Sequence, residues 1–250
     1  MTETMNGAEG LLRSLHAAGI EVCFANPGTS EMMFVDGLDR TGLMRCVLAL
    51  FEGVATGAAD GYARMAGKPA CTLLHLGPGF ANAAANIHNA RKARSPMVNI
   101  VGEHALHHLV HDAPLTADVP AIVAPFSHWV RLCQTADGMG ADGAEAVAAA
   151  ASYPGQIATL IAPGCAGWDP GGHVADPIAA QGPAPFDETH LQDAAETLKA
   201  GDAMLWIGGP ILADPEALAL AHAIAATTGA RVMAPTSNNR TEREIGRAHV

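Results

Sequence analysis

A carboxylate and a histidine stand where two apolar runs of strand length end. Glu52 follows the run 46–50, and His75 closes the run 71–75. The carboxyl ends of parallel strands form the sheet edge at which ligands bind. A carboxylate in a dry site can share a proton with a ring nitrogen, and histidine transfers protons near neutral pH. The spacing indicates acid–base chemistry, although Glu52 alone is equally typical of a helix start and His75 of a strand end.

Three glycines follow Glu52 at helical spacing. Gly53, Gly57 and Gly61 recur at i, i+4 and i+8 and leave one face of a predicted helix bare. Each glycine lowers helix stability by roughly 1 kcal/mol relative to alanine, so something must pack closely against this face. The spacing leaves two alternatives open: the sheet of the same chain, or another subunit.

The elements around these residues alternate between two types. Ala-rich segments with predicted helix starts near residues 30, 52, 79 and 142 lie between the predicted strands 20–24, 46–50, 71–75, 97–101 and 157–161. Parallel strands are joined by crossovers that nearly always contain a helix. The pattern therefore predicts an α/β fold, a three-layer α/β/α doubly wound parallel sheet.

The chain is predicted to contain two domains. The first spans residues 5–163, and a linker rich in Gly and Pro spans 164–186. Residues 187–243 hold two αβ units, too few for a complete sheet, so this second α/β domain is predicted to be incomplete. Residues 244–250 can be encoded by a common sequencing adapter read in frame, and we expect this tail to be artefactual and the native protein to be longer.

Composition excludes several classes of function. A formal net charge of -11 and an aromatic share of 4% argue against a nucleic-acid partner. The sequence shows no signal peptide and no apolar stretch of membrane-spanning length, which predicts a cytoplasmic protein with no membrane role. The five cysteines lack metal-type or C-x-x-C spacing and are expected to be buried, reduced thiols.

Four segments together resemble the pyrimidine-binding domain of the thiamine diphosphate-dependent acetolactate synthase and 2-oxo acid decarboxylase family. They are NPGTSE at 26–31, FEGVATGAADGYAR at 51–64, HLGPGFAN at 75–82 and RSPMVNIVG at 94–102. Their order and spacing match, and the resemblance covers about residues 5–163. Residues after the linker are similar to the start of the family's central domain, with weaker motifs.

The resemblance implies a role for each of several residues. Glu52 would hydrogen-bond the aminopyrimidine ring of thiamine diphosphate and promote loss of the C2 proton, and His75 would transfer protons to substrate-derived species. The remaining positions divide into a cofactor-binding set (Pro27, Gly28 and Asn82) and a substrate-side set (Thr29 and His104).

Other parts of such an enzyme are expected outside these 250 residues. The family holds the diphosphate and Mg²⁺ through a Gly-Asp-Gly segment, which this sequence lacks, so we expect the chain alone to hold no metal and to be inactive. Flavin binding cannot be judged from this part. The resemblance also implies a 2-oxo acid substrate such as pyruvate and a homo-oligomer that is at least a dimer.

Several alternatives stay open. An acetolactate synthase-like enzyme is the first choice, and a benzoylformate decarboxylase-like enzyme, favoured by His75, is the second. Gly77, Gly79 and Asn82 outline an imperfect dinucleotide fingerprint, which would indicate an oxidoreductase. Four histidines (His104, His107, His108 and His111) could align on one face of an α-helix as metal ligands, but the segment is also typical of a loop, for which a substrate role is the preferred interpretation. A non-catalytic binding module is the remaining possibility.

Overall fold

The computed structural model describes residues 4–236 and 238–242, which form two compact units. The first unit comprises the described residues up to Arg91 together with Ser95–Gln181. The second comprises Lys92–Arg94 and the described residues from Gly182 onward. The predicted tail, 244–250, lies outside the described residues.

A six-stranded parallel sheet forms the centre of the first unit. Its strands are β1 (Val22–Asn26), β2 (Arg45–Leu48), β3 (Ala70–Leu74), β4 (Met97–Glu103), β5 (Trp129–Leu132) and β6 (Ile157–Pro163). They lie in the order β2-β1-β3-β4-β6-β5. Five of the six were predicted within a few residues. β5 was missed because its four residues lie at the sheet edge, are only partly buried and lack an uninterrupted apolar run.

Helices cover both faces of this sheet. They are α1 (Gly7–Ala17), α2 (Met32–Thr41), α3 (Glu52–Ala66), α4 (Leu76–Ala93), α5 (Val119–Val123), α6 (Met139–Ala151) and α7 (Gly164–Trp168). One apolar cluster joins α1, α2, α6 and α7 to the sheet, and a second joins α3, α4 and α5 to its opposite face. Neighbouring strand residues point to opposite faces, so Val98 and Ile100 belong to the first cluster and Met97 and Val101 to the second. The predicted three-layer α/β fold is confirmed.

A buried polar row fixes the register of three central strands. Thr72 donates its hydroxyl to Asn99 Oδ1 at 2.8 Å, and the Asn99 amide donates to Thr159 Oγ1 at 3.3 Å. All three side chains are fully buried. Sliding one strand past its neighbour would leave these groups without partners, at a penalty of about 1–3 kcal/mol each.

The strand order creates a switch point between β1 and β3. The connection from β1 leads to β2 on one side, and the next connection returns across β1 to β3 on the other. In open α/β sheets, ligands bind in the crevice that opens at the carboxyl ends of strands at such a point. The loops that follow β1 and β3 therefore lie where this fold is expected to bind a ligand.

Part of the segment predicted as a linker packs on the first unit. Helix α7 occupies its start, and the backbone N–H of Ala175 donates to Ser14 Oγ at 2.9 Å. A Cβ on Gly172 would lie 2.0 Å from the carbonyl oxygen of Asn6, which shows how closely this segment follows α1. The domain boundaries at 163 and 187 stay predictions.

The second unit is small. It consists of α8 (Glu188–Lys199), β7 (Met204–Trp206), α9 (Pro215–Thr228) and β8 (Arg231–Met233), with β7 and β8 parallel. Among the described residues of the whole chain, no helix is long and apolar enough to cross a membrane.

The cysteines of the first unit differ from the prediction at one position. Cys23, Cys71 and Cys133 are buried and Cys165 is partly buried, and all five thiols are free. Cys46, however, is exposed. It lies on β2, which is an edge strand and so has a neighbour on one side only.

Candidate active site

The loops after β1 and β3 meet at the switch point. A Cβ on Gly28 would lie 2.4 Å from Nδ1 and Cε1 of His75, so the ring occupies the space that any other residue at position 28 would fill. Pro27 precedes this contact and is partly buried, whereas Thr29 begins a short 3-10 helix and is exposed. The structure thus brings Gly28 and His75 together and leaves Thr29 at the surface.

A carboxylate that the sequence analysis did not single out lies beneath this contact. Glu31 is fully buried, and its Oε2 accepts the backbone N–H of Gly28 at 2.7 Å and lies 2.8 Å from His75 Nδ1. Burial raises the pKa of the Glu31 carboxyl, while the bonds from Gly28 and His75 oppose that shift. The spacing of Glu31 three residues after Gly28, typical of a capping box, was the available signal.

Glu52 is the first residue of α3 and is only 7% exposed. The side-chain amide of Asn82 donates to its Oε2 at 3.0 Å. A Cβ on Gly79 would lie 3.0 Å from Glu52 Oε1 and 3.3 Å from His75 Cβ. The bare Cα of Gly79, at the start of α4, therefore separates Glu52 from His75 and allows both to approach the same crevice.

The glycine face of α3 divides into an inner and an outer part. Gly53 is buried, and a Cβ at this position would point at the Phe51 ring. The backbone carbonyl of Gly53 accepts a hydrogen bond from the side-chain amide of Asn86 at 2.6 Å. A Cβ on Gly57 would lie 3.1 Å from the same amide, whereas at Gly61 nothing lies within 4 Å. The first glycine packs within the chain, and the last leaves open space.

The end of β4 carries another buried carboxylate beside His104. Glu103 is 3% exposed, its Oε1 accepts the backbone N–H of His104 at 2.7 Å, and burial raises its pKa. Nε2 of His104 is buried and has no hydrogen-bond partner among the described residues. The His104 ring packs against His108, with centroids 5.9 Å apart. The structure places His104 at the same sheet edge as the other site residues, and no hydrogen bond to Glu52 or His75 is found among the residues described.

The four histidines do not form the ligand set that an α-helix would have given. Residues 106–111 form a 3-10 helix, in which positions i and i+4 no longer align. Within residues 4–236 and 238–242, no group of three or more His, Cys, Asp or Glu side chains is placed to hold a metal ion.

The site fits a neutral heterocycle better than it fits a phosphate. Two buried carboxylates, Glu31 and Glu52, lie beside the crevice and would repel an anion. The exposed apolar side chains of Leu50, Phe51 and Val54 border Glu52 and can contact a ring. A buried carboxyl group can share a proton with a ring nitrogen of a bound heterocycle. These residues are therefore suited to bind an aminopyrimidine.

Fold and site define the first unit as an α/β domain that presents buried carboxylates at the switch point of a parallel sheet. Residues 5–121 match the family described as "Thiamine pyrophosphate enzyme, N-terminal TPP binding domain". A Mycobacterium tuberculosis protein provisionally assigned as acetolactate synthase large subunit IlvX is 50% identical over 244 residues. That alignment covers 97% of this chain and 46% of the relative, so the chain spans about half of its length.

Two solved structures share the fold. A thiamin diphosphate-dependent enzyme from Mycobacterium smegmatis, provisionally so described, is 26% identical with a TM-score of 0.79, over 94% of this chain and 46% of that one. The 4-hydroxybenzoylformate decarboxylase of Rhodococcus jostii RHA1 is 23% identical with a TM-score of 0.76, over 94% and 45%. Residues 5–121 are thus the N-terminal TPP binding domain of a thiamine pyrophosphate enzyme, and the chain is homologous to acetolactate synthase large subunits.

The three residues of the imperfect dinucleotide fingerprint (Gly77, Gly79 and Asn82) have other roles in this fold. A Cβ on Gly77 would lie 2.9 Å from Ala117 Cβ, and Gly79 and Asn82 both adjoin Glu52. Internal packing and the carboxylate therefore account for all three positions without a dinucleotide.

Proposed function

We propose that this chain supplies the pyrimidine-binding half of an acetolactate synthase-like enzyme that decarboxylates and joins 2-oxo acids such as pyruvate. The observation that carries the proposal is the burial of Glu52 at the carboxyl edge of the sheet, with Asn82 holding one of its oxygens. The similarity to acetolactate synthase large subunits supports the choice of substrate class.

Bound thiamine diphosphate would supply a carbon nucleophile and an electron sink for decarboxylation. Glu52 would hold a proton at the pyrimidine nitrogen, and the Asn82 amide would fix the orientation of the carboxyl group. Gly79 would leave room for the ring, and His75 would move a proton at the substrate side. Mg²⁺ and the diphosphate would be bound outside these 250 residues, so we expect the chain alone to be inactive.

A benzoylformate decarboxylase-like activity is the second candidate. It is favoured by His75, whose side chain is 24% exposed beside Glu52 and therefore accessible to a substrate. In such an enzyme His75 would donate a proton at the substrate side, and an aldehyde would be released.

Product analysis on the complete enzyme separates the two candidates. With thiamine diphosphate, Mg²⁺ and pyruvate, we expect acetolactate and carbon dioxide in a ratio of one to one. Benzoylformate serves as the second substrate, and its conversion to benzaldehyde with no acetolactate from pyruvate would favour the decarboxylase. Binding of thiamine diphosphate without turnover of either substrate would favour a non-catalytic module.

We also propose that the outer face of α3 contacts a second copy of the chain. Val54 and Met65 on this face are 58% and 70% exposed, and Leu50 just before the helix is 94% exposed. Together with Gly61 they form a row of small and apolar residues that is bare in the single chain. A partner subunit would cover it and complete the site above Glu52. The cytoplasmic location stays a prediction.

Gly61→Leu tests this contact because its two expected effects have opposite signs. Nothing lies within 4 Å of a Cβ at this position, so in the isolated chain leucine should raise the free energy of unfolding by up to about 1 kcal/mol through helix propensity. In the complete enzyme the same side chain should dissociate the oligomer, as measured by sedimentation. Ala151→Leu, at the exposed end of α6 on the other side of the sheet, is the control. An intact oligomer of the Gly61 variant would place the contact elsewhere.

A further inference from the structure

We propose that Glu31 is a positioning residue for His75, which holds the imidazole with its proton on Nδ1 and leaves Nε2 to exchange a proton with the substrate. The role of Nε2 rests on the proposed function. The tautomer does not, since it follows from an ionised Glu31 whose Oε2 lies 2.8 Å from His75 Nδ1.

Two glycines make the space for this pair. A Cβ on Gly28 would lie 2.4 Å from the His75 ring, and a Cβ on Gly102 would lie 1.6 Å from Glu31 Oε1. Gly28 and Gly102 come from different strand ends, and neither has a positive φ that would call for glycine. These two positions are glycine because a side chain at either of them would occupy the space of the Glu31 carboxylate or the His75 imidazole.

The backbone after His75 is also constrained. Leu76 has φ of 54° although it is neither glycine nor asparagine, and it is 1% exposed. A left-handed conformation of this kind is unfavourable for a residue with a side chain and is retained where the surroundings fix it. The buried surroundings of Leu76 therefore fix the backbone directly after His75 and with it the position of the imidazole.

A simple capping role accounts for only part of these contacts. A capping box requires the Glu31 side chain to accept the N–H of Gly28, which it does. Capping carboxylates ordinarily stay at the surface, whereas Glu31 is fully buried and its Oε1 has no hydrogen-bond partner among the described residues. Burying a carboxylate is unfavourable unless it has partners. The partner that a cap does not explain is His75.

The tautomer follows from the donors and acceptors. An ionised Glu31, whose Oε2 also accepts the backbone N–H of Gly28, can only accept hydrogen bonds, so the ring nitrogen that faces it would carry the proton. In the neutral ring Nε2 then carries the lone pair, and the residues described provide it with no hydrogen-bond partner. Nε2 is therefore the nitrogen that can accept a proton from the substrate.

The tautomer can be measured by NMR on the 250-residue chain labelled with ¹⁵N at histidine, without cofactor or substrate. Long-range ¹H–¹⁵N correlation at about pH 8.5, two units above the ordinary histidine pKa of about 6.5, distinguishes the two nitrogens. His75→Gln identifies the resonance. We expect Nδ1 to be protonated and Nε2 unprotonated in the wild type. A proton on Nε2 would show that Glu31 donates to the ring, and would overturn the proposal.

Two variants of similar length separate positioning from packing. Glu31→Met removes both acceptor oxygens, so the preference for Nδ1–H should be lost, whereas Glu31→Gln keeps one oxygen for Gly28 and His75 and should retain it. An unchanged tautomer in a folded Glu31→Met chain would contradict the inference. If that variant does not fold, the wild-type spectrum still decides. Inactivity of the enzyme towards 2-oxo acids would count against the proposed function and leave this result standing.

Discussion

Glu52→Gln should slow exchange of the C2 proton of bound thiamine diphosphate by about 10² to 10⁴-fold in the complete enzyme, the range that general acid–base catalysis contributes. A neutral amide keeps the size of the side chain but cannot hold and return a proton. Because Glu52 is 7% exposed and accepts from Asn82, glutamine can keep the local packing. The exchange rate is measured by quenched hydrogen–deuterium exchange and NMR.

Glu9→Gln is the matched control for this prediction. Glu9 is also a nearly buried carboxylate in the first turn of a helix, but it lies on α1 and pairs with Arg13 and Arg40. Its replacement should alter stability and leave C2 proton exchange unchanged. Equal exchange rates in the Glu52 variant and the wild type would remove Glu52 from the chemistry, even if the cofactor still binds.

Gly102→Ala should lower the free energy of unfolding of the chain by about 3 kcal/mol or more, since overpacking a core and unpairing a buried charged group each contribute about 1–3 kcal/mol. The added methyl group would lie within bonding distance of Glu31 Oε1 and would push the carboxylate away from Gly28 and His75. Denaturant unfolding measures the change.

A double-mutant cycle identifies the cause of that loss. In Glu31→Ala the carboxylate is absent, so adding Gly102→Ala should destabilise far less than it does in the wild type. Gly164→Ala, at the same edge, is the control, because a Cβ there meets only ordinary contacts at 3.8 Å and 3.9 Å. Additive losses in the cycle would show that the methyl group collides with something other than Glu31.

The sequence determined the elements whose signals are local. The runs that end before Glu52 and His75 are apolar in sequence, although the edge strand β2 is largely exposed in the fold, and the Gly-rich helix between them is indicated by the glycine spacing of one short segment. For the same reason Glu52 and His75 could be assigned to one sheet edge, whereas Asn82 was placed near the cofactor only by the resemblance to the family. The resemblance to the family rested on these segments and was confirmed.

Only the tertiary structure decided which of these residues touch. Glu31 and His75 are 44 positions apart in the sequence, and Glu52 and Asn82 are 30 apart. At such separations no local pattern indicates that the Glu31 carboxylate contacts His75 or that the Glu52 carboxylate contacts Asn82. The spacing of Glu31 after Gly28 is typical of a helix cap at the surface, whereas the end of β4 covers Glu31 and makes it a buried carboxylate. Likewise the helix periodicity did not show that Gly53 faces its own chain and Gly61 does not. Periodicity reports which residues share a face, and only the assembled sheet determines what covers that face.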